Sequence, residues 1–108
     1  MTVKALAEAL SLRPLAEVDT EREAVGCYAG DLLSWVMGRA KQDEVWVTIM
    51  TNLNIVAVAS LADVCCVIIA EEAEIAPDVV AKAEEKGVNL YTSPLSTYAL
   101  CAKLSELV

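Results

Sequence analysis

One stretch near the middle of the chain, residues 45–70, contains a single charged side chain, that of Asp63. Its two ends, residues 45–50 and 64–70, are short runs of β-branched and other apolar residues, as expected of strands that are buried on both faces of a sheet. The segment between them, residues 54–62, has small or branched apolar residues on every side, which predicts a mostly buried helix. A strand–helix–strand unit of this kind is typical of an α/β fold.

The same stretch is long enough to span a bilayer, which takes about 20 apolar residues. Asn52, Asn54 and Asp63 interrupt it, no basic residues flank it, and its β-branched residues fall into two blocks. These features favour a soluble domain over a membrane span. Lys4 and Glu8 lie inside the apolar pattern at the start of the chain, which suits an amphipathic helix and not a secretory signal, so we expect a cytoplasmic protein.

The 108 residues suffice for one domain with a single core, and the excess of Ala, Val and Leu suits a layered interior. The formal net charge of −8 disfavours a nucleic-acid partner, because the phosphate backbone repels an acidic surface. There are four cysteines, no C-x-x-C pair and no histidine, so we expect buried thiols in a reducing compartment and no zinc site.

Periodicity and cap residues predict further elements on both sides of the central unit. These are a helix over 3–10, an edge strand over 12–18 that contains Pro14, a strand over 24–29, a helix over 32–39, a helix from Pro77 to a stop at Gly87, a strand over 88–92 and a helix over 93–107. Asp31 and Ser93 are expected to cap the helices that follow them. The predicted fold is one domain over residues 1–108, a Rossmann-like α/β sandwich with a mostly parallel sheet flanked by helices.

Polar side chains follow three of the predicted strands, and parallel strands with right-handed crossovers would place these turns on one edge of the sheet. That edge is where open α/β sheets bind ligands. The predicted ligand-binding residues there are Thr51, Asn52, Asn54, Thr92, Ser93, Ser96 and Thr97. The free amides at helix starts can hold a phosphate or carboxylate. An alternative remains open, in which these side chains only cap helices, because every helix start needs caps.

The chain has no motif for catalysis or for a cofactor. Neither G-x-x-x-x-G-K-[ST] nor G-x-G-x-x-G occurs, which excludes a P-loop kinase and a dinucleotide dehydrogenase. The acidic run of Glu71, Glu72 and Glu74 is more typical of a solvated loop before a helix than of a metal site. Cys27 or Cys101 as a nucleophile would lack a histidine base. We therefore expect a non-enzyme with no catalytic residue, no metal and no resident cofactor.

Trp35 lies on the predicted helix over 32–39, and it is the candidate interface residue. An aromatic side chain on a helix of a small acidic domain is suited to a contact between subunits, although core packing would explain it equally well. Two functions therefore compete. One is a ligand-binding module, and the other is an interaction protein that docks on a partner enzyme through its acidic surface and Trp35.

Three stretches resemble DRTGG-domain proteins: GCYAGDLLS over 26–34, NIVAVAS over 54–60 and YTSPLST over 91–97. The last is also similar to the N-terminal, non-catalytic domain of HPr kinase/phosphorylase. The resemblance covers residues 3–107, although the string D-R-T-G-G is itself absent. It implies a homodimeric regulatory module that senses a ligand, beside CBS domains or ahead of catalytic domains.

The resemblance also implies an adenine nucleotide or another small anion as the ligand, held at the turns over 51–54 and 92–97. Residues 51–54 and 70–73 stand where the family more usually has charged or glycine-rich turns. For the interaction protein, the resemblance implies a partner enzyme such as a hydrogenase or an NADH-linked electron-transfer complex.

Overall fold

Five helices and five strands make up the computed structural model, which describes residues 1–108. The helices are α1 (Val3–Ala9), α2 (Leu33–Arg39), α3 (Asn54–Ala62), α4 (Pro77–Lys86) and α5 (Thr97–Leu104). The strands are β1 (Arg13–Ala16), β2 (Gly26–Ala29), β3 (Glu44–Thr48), β4 (Cys66–Ile69) and β5 (Leu90–Thr92). The longest helix, α4, has 10 residues, and no helix combines the length and the apolar character needed to cross a membrane.

The strands form one sheet in the order β1-β5-β4-β3-β2. Strands β2 to β5 run parallel to one another, and β1 pairs antiparallel with β5. Because β2, β3, β4 and β5 follow each other in space as in sequence, α2, α3 and α4 all cross the same face of the sheet. The fold is a Rossmann-like α/β sandwich, so the predicted class is confirmed.

Apolar side chains on the two faces of the sheet form separate cores. On one face α1 and α5 cover Val45, Val47, Cys66 and Ile68. On the other face α2, α3 and α4 cover the intervening positions, of which Trp46 is the largest. The alternation along β3 follows from the two-residue period of a strand, and both kinds of position are buried because helices lie on both faces.

Local signals in the sequence predicted several element boundaries correctly. Helix α3 spans the predicted residues, and Asp63 closes it in the left-handed conformation with φ of 57°. Pro77 is the first residue of α4, and Gly87 ends that helix with φ of 72°. Pro14 lies in β1, which is an edge strand as predicted. Each of these residues acts on the backbone within one turn of its own position.

Two predicted caps are wrong. Asp31 does not cap α2, which begins after Leu32 without a side-chain cap. Ser93 does not begin the last helix, because the chain makes a further turn and α5 starts at Thr97 with Ser96 as its cap. Asp31 is hydrogen-bonded instead to Thr48 and Ile49 at the end of β3, and Ser93 to Leu95 in the turn after β5.

The opposite end of the sheet, where the parallel strands begin, is tied together by a buried asparagine. The Asn89 carboxamide oxygen accepts hydrogen bonds from Val18 N (2.8 Å) and Asp19 N (2.9 Å). Its Nδ2 donates to Asp19 O (2.8 Å) and Cys65 O (2.9 Å). One side chain thus anchors the loop after β1 to the strands beside it.

Candidate functional site

The carboxyl ends of β2, β3, β4 and β5 meet along one edge of the sheet, as the sequence predicted. The structure divides this edge into two halves with different chemistry. Above β2 and β3 the turns are held closely together by hydrogen bonds. Above β4, β5 and the start of β1 they surround an open cavity.

Asp31 links the turn after β2 to the end of β3, in the half of the sheet edge above these two strands. Its Oδ1 accepts hydrogen bonds from the hydroxyl of Thr48 (2.7 Å) and from Ile49 N (2.9 Å). Trp46 Nε1 donates to Gly30 O over 2.9 Å in the same region. The Asp31 carboxylate, the Thr48 hydroxyl and the Trp46 indole N–H are therefore hydrogen-bonded within the protein.

Thr51 and Asn52 lie in the turn between β3 and α3, and Asn54 is the first residue of α3. None of the three lines a cavity. The Asn52 carboxamide oxygen accepts a hydrogen bond of 2.9 Å from Asn54 N, which satisfies a free amide at the start of α3. For Asn52 the structure thus matches the alternative in which the side chain supports the helix start.

A cavity of about 680 Å³ occupies the half above β4 and β5. We call it the edge cavity. Its lining combines the start of β1, the loop after β4 and the turn after β5: Ser11, Arg13, Leu15, Glu71, Glu72, Ala73, Glu74, Ile75, Thr92, Ser93 and Pro94. Its volume falls within the range of about 300–1,000 Å³ that is usual for small-molecule sites.

Thr92 and Ser93 are the two predicted site residues that line the edge cavity. The Ser93 oxygen accepts a hydrogen bond of 3.2 Å from Leu95 N, and the hydroxyl of Thr92 donates to Ile69 O over 3.3 Å. Ser93 is buried at the floor of this half of the edge.

Ser96 and Thr97 do not line the cavity. Ser96 Oγ accepts from Ala99 N over 3.1 Å and caps α5, whose first residue is Thr97. The seven predicted residues therefore do not form one site. Ser11 and Arg13 were missed because they belong to β1 and the turn before it, which only strand pairing brings beside β5.

Backbone strain is concentrated around the edge cavity. Five non-glycine residues have left-handed backbones, and three of them, Ser11 (φ 53°), Glu71 (φ 62°) and Glu72 (φ 57°), line this cavity. A left-handed conformation costs an L-residue roughly 1–2 kcal/mol. The loop after β4 is held in it by hydrogen bonds from Glu71 N to Leu95 O (2.8 Å) and from Glu72 N to Ser93 O (2.9 Å).

The charges of the edge cavity are unbalanced. Arg13 is its only cation, beside the three carboxylates of Glu71, Glu72 and Glu74, which gives the lining a formal charge of −2. Arg13 takes part in none of the four ion pairs of the protein. No three metal-ligating side chains converge here or elsewhere in the chain. Arg13 is therefore free to contact an anionic group, while a bare polyanion would meet three carboxylates.

A second cavity, of about 560 Å³, lies between α1 and β1 on one face of the sheet. The hydroxyl of Tyr91 reaches its wall and donates a hydrogen bond of 2.8 Å to Glu17 Oε2. Burial, together with the hydrogen bond to Glu17, raises the pKa of Tyr91 above its ordinary value. Tyr91 therefore acts as a neutral hydrogen-bond donor.

Cys27 lacks the properties of a nucleophile. Burial, and next the neighbouring Cys101 thiol, raises the pKa of Cys27 from 9.0 to about 12. Cys65 and Cys66 are fully buried in the core. A reactive cysteine needs a lowered pKa, so Cys27 is protonated at neutral pH and is unsuited to nucleophilic catalysis.

Trp35 is 52 % exposed, so the core-packing alternative for this residue is wrong. The Arg39 guanidinium lies 3.7 Å from the centre of its ring, which is a cation–π contact between successive turns of α2. The exposed part of the indole is accessible to another molecule.

No protein-family model matches the chain, and no curated protein matches it in sequence. Among solved structures, it is similar to the regulatory region of Clostridium perfringens pyrophosphatase, which comprises CBS and DRTGG domains and was crystallised with its activator, diadenosine tetraphosphate. The TM-score is 0.73 and the identity is 9%, over 95% of this chain and 45% of that one. At this identity the likeness establishes the fold alone. The chain spans less than half the length of that regulatory region.

Proposed function

We propose that the chain is a DRTGG-type regulatory module that senses a small ligand bound in the edge cavity. The observation that carries the proposal is the coincidence, around one cavity, of an unpaired Arg13 with the strained backbones of Ser11, Glu71 and Glu72. Proteins tend to retain such strain at ligand clamps and switch regions, where it contributes to the mechanism.

An adenine nucleotide is the ligand class that we propose. The resemblance to DRTGG proteins supports it, as does the nucleotide activator bound by the structural neighbour. Arg13 would contact a phosphate, and the Ser93 hydroxyl would donate a further hydrogen bond. Because the lining carries a formal charge of −2, we expect the nucleotide to bind as its Mg²⁺ complex, in which the metal offsets the repulsion from the three glutamates.

Sensing requires that the ligand bind two conformations of the module unequally. The loop after β4 is the element suited to this, because Glu71 and Glu72 both line the cavity and bond the backbone of residues 93–95. A ligand that contacts either glutamate would shift the loop relative to the turn before α5. That turn would transmit the change to the rest of a larger protein or to a partner.

Isothermal titration against diadenosine tetraphosphate, ATP, ADP and AMP, in Mg²⁺ and in EDTA, tests the proposal. We expect binding in Mg²⁺, and Arg13→Ala should weaken it by at least about tenfold, since a hydrogen bond to a charged group contributes about 1.5–3 kcal/mol. The matched control is Lys86→Ala, which removes the same charge from the last turn of α4. This turn lies at the end of the sheet where the parallel strands begin, away from the edge cavity. Absence of binding by all four compounds would contradict the nucleotide proposal.

An adaptor function is the second candidate, and the exposed Trp35 is the observation that favours it. Here the acidic surface and the Trp35 face would contact a partner enzyme, and the edge cavity would have no ligand. A pull-down with the wild type and Trp35→Ala discriminates the two. The adaptor would be favoured if Trp35→Ala loses a stoichiometric partner that the wild type binds, and if none of the four nucleotides binds in the titrations.

A further inference from the structure

All four cysteines of the chain belong to the core between the sheet and helices α1 and α5, or pack against it. Cys65 and Cys66 are fully buried in this core. Cys27 and Cys101 pack against it and are only half-buried. Cys27 and Cys101 are therefore the two thiols that a small reagent in solution can reach without unfolding the protein.

Strand pairing and helix packing bring Cys27 and Cys101 together, although they lie near opposite ends of the chain. Cys27 is the second residue of β2 and pairs in register with Val45 of β3, whose side chain belongs to this core. Neighbours in register on parallel strands face the same side of a sheet. On that side α5 packs against β2 and carries Cys101 in its second turn. A side-chain hydrogen bond joins the two thiols.

The environment of Cys27 determines the order in which the two thiols react. Burial, and next the Cys101 thiol, raises the pKa of Cys27 to about 12, so that Cys27 is protonated at neutral pH. The thiolate, and not the thiol, is the form that attacks an oxidant. The first reaction with an oxidant therefore takes place at Cys101, and Cys27 reacts second.

We propose that Cys27 and Cys101 are a redox modification site, at which hydrogen peroxide produces a reversible disulfide. The Cys101 thiolate attacks one peroxide oxygen, so that an S–O bond forms and the O–O bond breaks. The hydroxide that leaves takes up the proton lost by Cys101 and becomes water. The Cys27 sulfur then attacks the Cys101 sulfenic acid, the S–S bond forms, the S–O bond breaks, and the Cys27 proton passes to the leaving hydroxide. Two thiols lose two electrons in total, and one peroxide is reduced to two waters.

The contact between the two thiols favours the disulfide over further oxidation of Cys101. Because the Cys27 sulfur already touches its partner, the second step is intramolecular and competes well with peroxide from solution. The disulfide is uncharged, so the burial that disfavours a Cys27 thiolate does not disfavour the product. In a reducing compartment such a bond is transient, as it is in redox-sensing proteins.

The disulfide would fix α5 to the outermost parallel strand of the sheet. The turn before α5 accepts hydrogen bonds from the amides of Glu71 and Glu72, at Leu95 O and Ser93 O. This is the turn through which the proposed function transmits the effect of a ligand. Only this link between oxidation and ligand sensing rests on the proposed function, and the disulfide itself does not depend on it.

Oxidation of the reduced wild-type chain with equimolar hydrogen peroxide tests the disulfide. The intact mass of the monomer should fall by that of two hydrogen atoms, and non-reducing peptide mapping should find residue 27 linked to residue 101. Dithiothreitol should restore the original mass. Because the bond closes a long loop, the oxidised form should melt at least about 4 °C above the reduced form.

Two single variants test the order of the steps. In Cys27→Ser the sulfenic acid at Cys101 has no partner thiol, so dimedone should label residue 101. In Cys101→Ser, dimedone should label residue 27 at least about tenfold more slowly, because Cys27 stays protonated. Cys66→Ala is the matched control, since it removes a thiol of the same core and should still form the disulfide between residues 27 and 101. Thermal denaturation of each reduced variant establishes that it is folded.

Several results would overturn the proposal. A wild type whose thiols do not react with peroxide would do so, as would a disulfide that includes Cys65 or Cys66, or one that joins two chains. Oxidation of Cys101 beyond the sulfenic acid without any disulfide would have the same meaning. Equally fast labelling of residues 27 and 101 in the two serine variants would contradict the assigned order of reaction.

Discussion

Asp31, just after β2, accepts a 2.7 Å hydrogen bond from the buried hydroxyl of Thr48 at the end of β3. The same carboxylate oxygen accepts from the Ile49 amide over 2.9 Å. One side chain thereby joins the carboxyl ends of two neighbouring strands and closes that half of the edge. Above β4 and β5 the corresponding side-chain link is the longer hydrogen bond of 3.3 Å from the hydroxyl of Thr92 to Ile69 O.

Asp31→Ala should lower the free energy of unfolding by about 1–3 kcal/mol, because it leaves the buried Thr48 hydroxyl and the Ile49 amide without an acceptor. Asp31→Asn, which retains an acceptor oxygen, should lose less. Urea denaturation measures both. Glu84→Ala, on the exposed side of α4, is the control and should change stability little. Equal losses for Asp31→Ala and Glu84→Ala would contradict the assigned role.

Asn89 is buried and uses its carboxamide fully, so the chemistry of the side chain should matter as much as its volume. Asn89→Ala should cost at least about 3 kcal/mol, because it leaves several backbone groups unpaired. Asn89→Asp has the same shape but replaces the donor that faces Asp19 O and Cys65 O with an acceptor. It should destabilise the protein comparably in chemical denaturation. A near-neutral Asn89→Asp would mean that these two hydrogen bonds contribute little.

Glu72→Gly should stabilise the fold by roughly 0.5–1 kcal/mol. Glycine removes the left-handed strain of about 1–2 kcal/mol at this position, and the gain is partly offset by the greater freedom of glycine in the unfolded chain. Glu74 lies in the same loop without a left-handed backbone, so Glu74→Gly should be neutral or destabilising. Thermal denaturation of the two variants side by side measures the difference. If both shift the melting temperature alike, the strain at Glu72 is not significant.

Alkaline pH should weaken the fold through Cys27. The unfolded thiol ionises near 9.0, whereas burial and Cys101 keep the folded thiol protonated up to about 12. The unfolded state therefore loses a proton that the folded state retains, and the free energy of unfolding falls as the pH rises between these values. The contribution is fully present below pH 9.0.

Removing the thiol provides the test of this pH effect. Cys27→Ala should show a shallower fall in the free energy of unfolding than the wild type above pH 9.0, measured by urea denaturation at successive pH values. The two proteins should have parallel profiles at lower pH. Parallel profiles throughout the alkaline range would mean that the pKa of Cys27 is close to its unfolded value.

Much of the fold is predictable because the signals are local. The apolar, β-branched runs of the central unit predicted buried strands, and Asp63, Pro77 and Gly87 marked helix ends through their own backbone preferences. The same reasoning failed at Asp31 and Ser93. Both have the chemistry of helix caps, but each is hydrogen-bonded elsewhere, to β3 and to Leu95.

The sequence by itself determined that residues 45–70 are a strand, a helix and a strand in an α/β sandwich, since period, branching and caps act over a few neighbouring residues. Only the tertiary structure decided which polar residues share a site. Arg13 meets Thr92 because β1 pairs antiparallel with β5, and Asp31 meets Thr48 because β2 lies beside β3. These pairings join residues far apart in the chain, and they depend on how the helices cover both faces of the sheet. A pattern read within one segment does not contain that information.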